Sequence, residues 1–227
     1  MNVQKTLALF DLDHTLLDID SDYTWGEYIV KKGLVDETSY RKANKEFYNQ
    51  YIAGTLNATK YNEFVATFLT TQTMEDLLAL RADFIETEVK PHIRPKGLNA
   101  IAKHINNGDE VVIISATNDF VVGGIAQVFA IDMANVLATP LEVKDNRYTG
   151  KLSDKPNFQD GKIYHLNKWL DAKKQQGVVF DKSYGYSDSK NDIPLLEWAD
   201  VAICVTPDDV LKEKAEQVGW QVLDWSL

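Results

Sequence analysis

The sequence predicts an α/β protein whose parallel, Rossmann-like sheet carries a helical domain inserted directly after the first strand. Two observations predict the sheet. A short apolar run ends at Phe10, and from residue 91 onward such runs alternate with helical periodicity, which is the pattern of parallel strands joined by helices. A third observation predicts the insertion: between residues 22 and 90, helical spacing of apolar residues dominates without strand-like runs.

The first strand is predicted at residues 6–10, and the insertion is expected to contain about four helices. Thr73, with Asp76 three residues later, is a suitable N-cap for one of these helices. We therefore assign residues 1–17 and 91–227 to a core domain and residues 18–90 to the inserted helical domain.

After the insertion, the pattern of strands and helices resumes. A helix is predicted at residues 96–106 because Gly108 is a suitable terminator, and the apolar run 111–114 is typical of a strand buried on both faces. The remaining predicted elements are a helix at 118–130, a polar hairpin at 142–151, a helix at 161–174, and strands at 183–186, 201–205 and 221–223.

Composition excludes several classes of protein. The chain has 227 residues, 44% of them hydrophobic, and a net charge of −10, which disfavours nucleic acid or an anionic membrane as a partner. Its one cysteine, Cys204, excludes an intrachain disulfide, and no segment has the roughly 20 apolar residues of a membrane span. We therefore expect a cytoplasmic protein that acts on a small molecule, as a monomer or a homodimer.

The first strand is followed by two aspartates one residue apart, Asp11 and Asp13, and then by Thr15. Neighbouring carboxylates repel each other, and a structural loop could use Asn or Ser without that cost. The pair is explained if a cation and a phosphate share the site. Asp11 then attacks phosphorus and Asp13 transfers the proton.

Further polar residues follow the other predicted strands. Ser115 follows the run 111–114, Asp188 follows the strand at 183–186, and Lys162 begins a helix, where an anion is favoured. Ligands of open α/β sheets bind at the carboxyl ends of the strands, so these side chains are expected to meet. Taken singly, Ser115 and Asp188 could be ordinary helix caps and Lys162 a solvated lysine.

These motifs, in this order, resemble motifs I to IV of the haloacid dehalogenase (HAD) superfamily of phosphohydrolases. The resemblance extends over essentially the whole chain and is strongest to subfamily IB, the phosphoserine-phosphatase-like group with a branch of bacterial histidinol-phosphate phosphatases. It is carried by residues 10–16, 20–25, 51–56, 115–120, 161–162, 186–189 and 191–196. It implies the HAD fold, with the insertion as a C1-type cap.

The resemblance also implies a reaction: Mg²⁺-dependent hydrolysis of a phosphomonoester through an aspartyl-phosphate on Asp11. The implied roles are Asp11 and Asp13 as catalytic residues; Ser115, Ala116 and Lys162 as phosphate ligands; Asp11, Asp188 and the Asp13 carbonyl as metal ligands; and Asn191 and Asp192 as supports that hold Asp188 and the lysine. The same nucleophile also allows a phosphotransferase. A regulatory module without activity is disfavoured, since no member of the set is missing.

The substrate is predicted from the entrance of the insertion. Asp18, Asp20 and Asp22 with Trp25 nearby would suit a cationic amine or imidazole, which favours L-histidinol phosphate. Asp20 and Asp22 could equally serve a helix N-terminus. Phosphoserine, the alternative substrate, requires a cation for its carboxylate; Arg41 is a candidate, although a surface position is equally compatible with it.

Overall fold

In a computed structural model of the protein, residues 3–227 are described, with side chains from Lys5 onward. Six parallel strands form one sheet in the order β3-β2-β1-β6-β7-β8, and two antiparallel strands form a separate hairpin. The strands are β1 Val3–Phe10, β2 Glu110–Asn118, β3 Val136–Thr139, β4 Leu141–Lys144, β5 Arg147–Leu152, β6 Val178–Ser187, β7 Val201–Val205 and β8 Gln221–Leu223. This confirms the predicted α/β class.

The helices lie where their periodicity and caps place them. They are α1 Ser21–Lys31, α2 Glu37–Ile52, α3 Ala58–Leu69, α4 Met74–Phe84, α5 Pro95–Asn106, α6 Asp119–Val128, α7 Asp160–Gln175, α8 Ile193–Trp198 and α9 Asp209–Val218. A π-helical turn, Ile85–Val89, and a 3₁₀ turn, Lys90–His92, lead from α4 back to the sheet.

Strand β1 lies in the middle of the sheet because its side chains are apolar on both faces. Residues Leu7 to Phe10 are fully buried. Leu7 and Leu9 pack with Leu166 of α7 on one face, whereas Ala8 and Phe10 belong to the larger core that includes Ile101 of α5. A strand buried in this way has no solvent-facing side, which explains the continuous apolar run in the sequence.

Helices α1–α4, which we call the cap, form the predicted insertion, and each begins at a capping side chain. Asp20, Asp36, Asn57 and Thr73 accept hydrogen bonds from the backbone N–H three residues later. Such caps satisfy one of the free N–H groups at each helix start. The chain leaves the sheet and returns to it side by side, with Leu17 and Ile93 forming an isolated β-bridge.

The hairpin β4–β5 occurs where the sequence predicts it. Asp145 and Asn146 both have positive φ (48° and 58°), as a two-residue type I′ turn requires. The hairpin lies against the cap: the Cγ2 atom of Thr70 is 3.2 Å from the position that a Cβ on Gly150 would take. Strand β3, Val136–Thr139, is absent from the prediction because four residues at a sheet edge give little periodicity.

Within residues 3–227, no helix combines the length and the apolar character that crossing a membrane requires.

Candidate active site

The polar residues predicted to meet do so at the carboxyl edge of the sheet. Asp11 follows β1, and its backbone N–H donates to the carbonyl of Tyr186 in β6 at 3.0 Å, which extends the strand pairing to this residue. Ser115 lies in the last part of β2, and Asp188 directly follows β6. The parallel order of β2, β1 and β6 therefore brings three separate motifs together.

Asp11 is buried and shares a lysine with a second carboxylate. Its Oδ1 atom accepts a hydrogen bond from the Lys162 ammonium at 2.8 Å, and the same ammonium donates to Oδ2 of Asp192 at 2.6 Å. Burial raises the pKa of Asp11 to about 7; Lys162 opposes this, and Asp192 and Asp13 add to it. Burial lowers the pKa of Lys162, but Asp11 and Asp192 outweigh that effect and raise it. The lysine thus stays charged.

Asp13 is held from two sides. Its Oδ1 accepts from the backbone N–H of Ser21 at 2.7 Å, and its Oδ2 accepts from the Thr117 hydroxyl at 2.8 Å. His14, directly after it, has φ of 55°, so the chain turns sharply here. Asp13 is therefore oriented by the first residue of the cap and by the residues that follow β2, and one oxygen of its carboxyl group contacts each side.

Two carboxylates and a hydroxyl meet where the sequence predicts a metal. The Thr15 hydroxyl lies 3.2 Å from Oδ2 of Asp11 and 3.1 Å from Oδ1 of Asp188. Burial raises the pKa of Asp188 well above its usual range, and the charges of Asp11 and Asp192 add to the shift. Two carboxylates, of which only Asp11 pairs with a lysine, offer oxygen ligands that fit a hard divalent cation. Within residues 3–227, no three acidic, His or Cys side chains are arranged so that they alone could hold a metal ion.

The predicted phosphate ligands lie around Asp11. Ala116 and Lys162 line a cavity in front of it. The Ser115 hydroxyl is buried, accepts from the Thr117 N–H at 3.1 Å and lies 3.5 Å from Oδ2 of Asp13. Asn157 supports this segment by donating to the carbonyl of Ser115 at 2.8 Å. The Ser115 hydroxyl therefore lies beside Asp13, but Ser115 is not among the residues that line the cavity.

The two residues predicted as supports behave differently. Asp192 holds Lys162, as expected, and also accepts from the Ser187 hydroxyl at 2.8 Å. Asn191 lines the cavity, and its side-chain oxygen accepts from Nε2 of Gln159 at 3.1 Å rather than meeting Asp188 or Lys162. The expectation that Asn191 holds those two residues is therefore corrected.

The cavity extends from the sheet to the cap and encloses about 770 Å³, counting the part open to solvent. We call its sheet side the core end and its opposite side the cap end. The core end comprises Asp11, Asp13, Ala116, Thr117, Lys162, Asn191 and Asp192. The cap end comprises Asp20, Asp22, Tyr23, Phe47, Tyr48, Tyr51, Leu56, Ala58, Tyr61 and Asn62. A substrate can therefore touch both domains.

The cap end is acidic and aromatic. Asp20 is the N-cap of α1, as the alternative interpretation proposed, and it also lines the cavity. Burial, with Asp13 nearby, raises its pKa to about 6. Burial also raises the pKa of Asp22 well above its usual range, and Asp20 and Asp13 add to this. Asp22 accepts one hydrogen bond from the Asn118 side chain at 2.9 Å. Neither carboxylate has a lysine or arginine partner in the described part of the chain.

Three residues predicted to contact the substrate do not line the cavity. Trp25 is 0% exposed and packs among the rings of Tyr28, Phe68 and Phe84 of the cap and of Phe120 in α6. Arg41 is exposed and pairs with Glu27 at 2.9 Å. Asp18 pairs with Arg94 at 2.9 Å where the chain enters the cap. Each of the three side chains has its partners outside the cavity, so their predicted contact with substrate is corrected.

Sequence reasoning missed the aromatic residues of the cap end and the role of Thr117. Phe47, Tyr48 and Tyr51 fall three and four residues apart on one face of α2, a spacing that marks a shared helical face. That signal was present, but it equally describes a buried core stripe. Thr117 is signalled only by its position two residues after Ser115, which places both side chains on one face of a strand.

Comparisons with known proteins show the family to which the chain belongs. A profile of the family described as haloacid dehalogenase-like hydrolase matches residues 8–197. The chain is 38% identical over 222 residues to the protein named histidinol-phosphatase of Neisseria meningitidis serogroup C (strain 8013), covering 97% of this chain and 99% of that one.

Two solved structures share its fold. A protein of unknown function from Bordetella pertussis Tohama I has a TM-score of 0.91 at 36% identity, covering 99% of this chain and 100% of that one. A substrate-bound phosphoserine phosphatase has a TM-score of 0.68 at 20% identity, covering 97% and 93%.

Proposed function

The chain belongs to the haloacid dehalogenase-like hydrolase family and is a phosphatase, and from this premise we propose that it hydrolyses L-histidinol phosphate through an aspartyl-phosphate on Asp11. The observation that carries the proposal is the cavity itself. One end holds Asp11 2.8 Å from the Lys162 ammonium, and the other end offers buried carboxylates and aromatic rings without a basic side chain.

The core end supports nucleophilic catalysis. The Asp11 carboxylate attacks phosphorus, the bond from phosphorus to the ester oxygen breaks, and an aspartyl-phosphate forms. The charged Lys162 ammonium stabilises the negative charge of the phosphoryl oxygens, with the Ser115 hydroxyl and the backbone at Ala116 beside it. Water then attacks phosphorus and releases phosphate and free Asp11.

Asp13 supports proton transfer in both steps. It protonates the leaving alkoxide in the first step and removes a proton from water in the second. Its hydrogen bonds to the Ser21 N–H and the Thr117 hydroxyl keep the carboxyl group oriented between the cap and the sheet. That position suits an acid that must meet the ester oxygen between the phosphoryl group and the rest of the substrate.

We propose Mg²⁺ as the cofactor, held by Asp11, Asp188 and the Asp13 carbonyl. When bound, the metal neutralises charge on the phosphoryl group and orients it. The raised pKa of Asp188, caused by burial and by Asp11 and Asp192, supports a cation here, because these carboxylates lack a countercharge of their own beyond Lys162.

The cap end supports a cationic substrate. Histidinol phosphate carries an amine and a protonatable imidazole but no carboxylate, whereas phosphoserine brings an additional negative charge toward Asp20 and Asp22. The aromatic rings suit an imidazole or ammonium group. Asn62 is 2% exposed, lines the cavity and has an Oδ1 atom without a hydrogen-bond partner. An N–H donor from the substrate would satisfy it.

The name of the Neisseria meningitidis relative supports the same substrate, since the match covers nearly all of both chains. We further propose that the reaction takes place in the cytoplasm, in keeping with a chain whose one cysteine, Cys204, allows no intrachain disulfide. We also propose that the protein acts as a monomer or homodimer on this small metabolite, without nucleic acid, in keeping with its net charge of −10.

A side-by-side measurement of kcat/KM tests the proposal, using histidinol phosphate, O-phosphoserine and an uncharged aryl phosphate with Mg²⁺. We expect kcat/KM for histidinol phosphate to exceed that for phosphoserine by about 10- to 150-fold, which corresponds to the free energy of one charge-assisted contact. A higher kcat/KM for phosphoserine would overturn the proposed substrate. Full activity in excess chelator would overturn the proposed Mg²⁺ cofactor. Transfer of the phosphoryl group to an added alcohol instead of water would indicate a phosphotransferase.

A further inference from the structure

A tight turn with an unusual residue precedes Lys162. The Gly161 N–H donates to the Phe158 carbonyl at 2.9 Å, which closes a four-residue turn. Gln159, its second residue, has φ of 51° and ψ of −119°. These are the angles of the first central position of a type II′ turn, which Gly occupies without strain. A glutamine there carries a steric cost that a glycine would not.

The Gln159 side chain does not offset this steric cost by capping α7, since it makes no hydrogen bond to the N-terminus of that helix. It donates instead to Oδ1 of Asn191 at 3.1 Å, and Asn191 lines the core end of the cavity. The next residue, Asp192, lies 2.6 Å from the Lys162 ammonium. The strained residue therefore acts on the cavity wall beside the phosphoryl site, which is where strain is retained when it serves function.

An asparagine amide has one acceptor and two N–H donors, and its orientation decides which of them faces the cavity. With Oδ1 of Asn191 engaged by Gln159, the NH₂ group remains, and within residues 3–227 it has no hydrogen-bond partner. The reversed amide would present an oxygen to an anionic phosphoryl group, which is repulsive. Resting on the proposed function, we propose that Gln159 is a positioning residue that orients Asn191 to donate to a phosphoryl oxygen.

Two substitutions separate this role from a structural one. Gln159→Gly removes the side chain together with the strain, whereas Gln159→Met removes the donor and keeps the strain. We expect Gln159→Gly to raise the melting temperature by about 2–4 °C. Both variants should weaken binding of inorganic phosphate by roughly 10-fold and lower kcat/KM on an aryl phosphate by a similar factor. A variant that is more stable and yet binds phosphate more weakly is not explained by structural damage.

A double-mutant cycle tests whether Gln159 affects phosphate binding through Asn191. Asn191→Ala should lose as much phosphate affinity as Gln159→Met, and the double variant should be no worse than Asn191→Ala, because Gln159 acts through Asn191. Additive losses, or full phosphate affinity in both Gln159 variants, would overturn the proposal. Phosphate binding is measured by calorimetry with Mg²⁺ present, so the result stands even if the wild-type protein hydrolyses no phosphomonoester, an outcome that would overturn the proposed function instead.

Discussion

The core end and the cap end of the cavity both contain buried carboxylates, but only the core end places a lysine among them. Asp11 and Asp192 share the ammonium of Lys162 at 2.8 and 2.6 Å. Asp20 and Asp22 share no basic side chain, and burial raises the pKa of each. A buried charge without a partner is costly. The core end thus carries its own countercharge, whereas the cap end gains one only from a cationic substrate.

This difference between the two ends suggests that the core end carries out the reaction and the cap end selects the substrate. Changes at the core end should have effects that do not depend on the charge of the rest of the substrate, since every phosphomonoester presents the same phosphoryl group. Changes at the cap end should depend on the charge of the rest of the substrate.

The largest effect is expected at the nucleophile. Asp11→Asn should lower kcat by roughly 10³-fold or more on cationic and uncharged substrates alike, because the amide is nearly isosteric but cannot form the phospho-enzyme. Steady-state kinetics on both substrates measures this, with the melting temperature as a control for folding. Substantial activity in freshly prepared protein, with deamidation excluded by mass spectrometry, would contradict the mechanism.

The second effect distinguishes proton transfer from phosphoryl transfer within the core end. Asp13→Asn should lower kcat/KM by about 10²–10⁴-fold for an alkyl phosphate, whose leaving alkoxide needs the proton. The loss should be smaller for p-nitrophenyl phosphate, whose leaving group needs little protonation. A comparison of the two substrates on the same variant measures this difference. Equal losses would show that Asp13 is not the acid.

The third effect tests selection at the cap end. Asp22→Asn should lower kcat/KM for histidinol phosphate by about 10- to 150-fold and leave an uncharged aryl phosphate within a few-fold of wild type. The matched control is Asp36→Asn, which changes an exposed aspartate at the start of α2 outside the cavity and keeps a good N-cap. Equal losses on both substrates would assign Asp22 a purely structural role.

The fourth effect concerns stability and pH. Burial raises the pKa of Asp20 to about 6 in the folded protein, so the folded state binds this proton more tightly than the unfolded state. The stability that the protein gains from binding this proton is fully present below about pH 4, near the pKa of Asp20 in the unfolded state. It is lost as the pH rises through about 6. Asp20→Asn should therefore be more stable than wild type at pH 7.5, by about 1–3 kcal/mol, with little difference near pH 4.5.

Urea denaturation at pH 4.5, 6.0 and 7.5 measures this difference. Asn is an equally good N-cap, so α1 should remain intact in the variant. Asp36→Asn again serves as the control, since hydrogen bonds from Ser39 lower the pKa of Asp36 and no gain at high pH is expected. A stability difference for Asp20→Asn that does not change with pH would contradict the assignment of an unneutralised charge at the cap end.

The smallest effect is expected outside the cavity. Arg41→Ala should change kcat/KM by less than about 2-fold on every substrate, because Arg41 is exposed and paired with Glu27 on the cap surface, where ion pairs contribute little. The same assays measure it. A selective loss on phosphoserine would show that Arg41 reaches the substrate after all, and would restore the alternative substrate.

The sequence alone was sufficient to predict that Asp11, Lys162 and Asp192 of the core end meet. Asp11, Lys162 and Asp192 stand far apart in the chain, yet each directly follows a strand or begins a helix. Parallel strands must bring their carboxyl ends to one edge, so the position of each residue relative to its strand already predicts that they meet. The hairpin turn at Asp145 and Asn146 was predictable for a similar reason, since its chemistry is local.

At the cap end, the sequence predicted Asp20 and Asp22, but only the tertiary structure decided which other residues lie beside them. Helical spacing predicts that α1 buries one face but not what lies against that face. Trp25 packs between the cap and Phe120 of α6, whereas Asp20 and Asp22 line the cavity. The orientation of Asn191 toward Gln159 likewise joins two segments that no periodicity relates. The physical reason is that backbone geometry assigns strand ends to one edge, whereas the neighbours of a helix face depend on how whole helices pack.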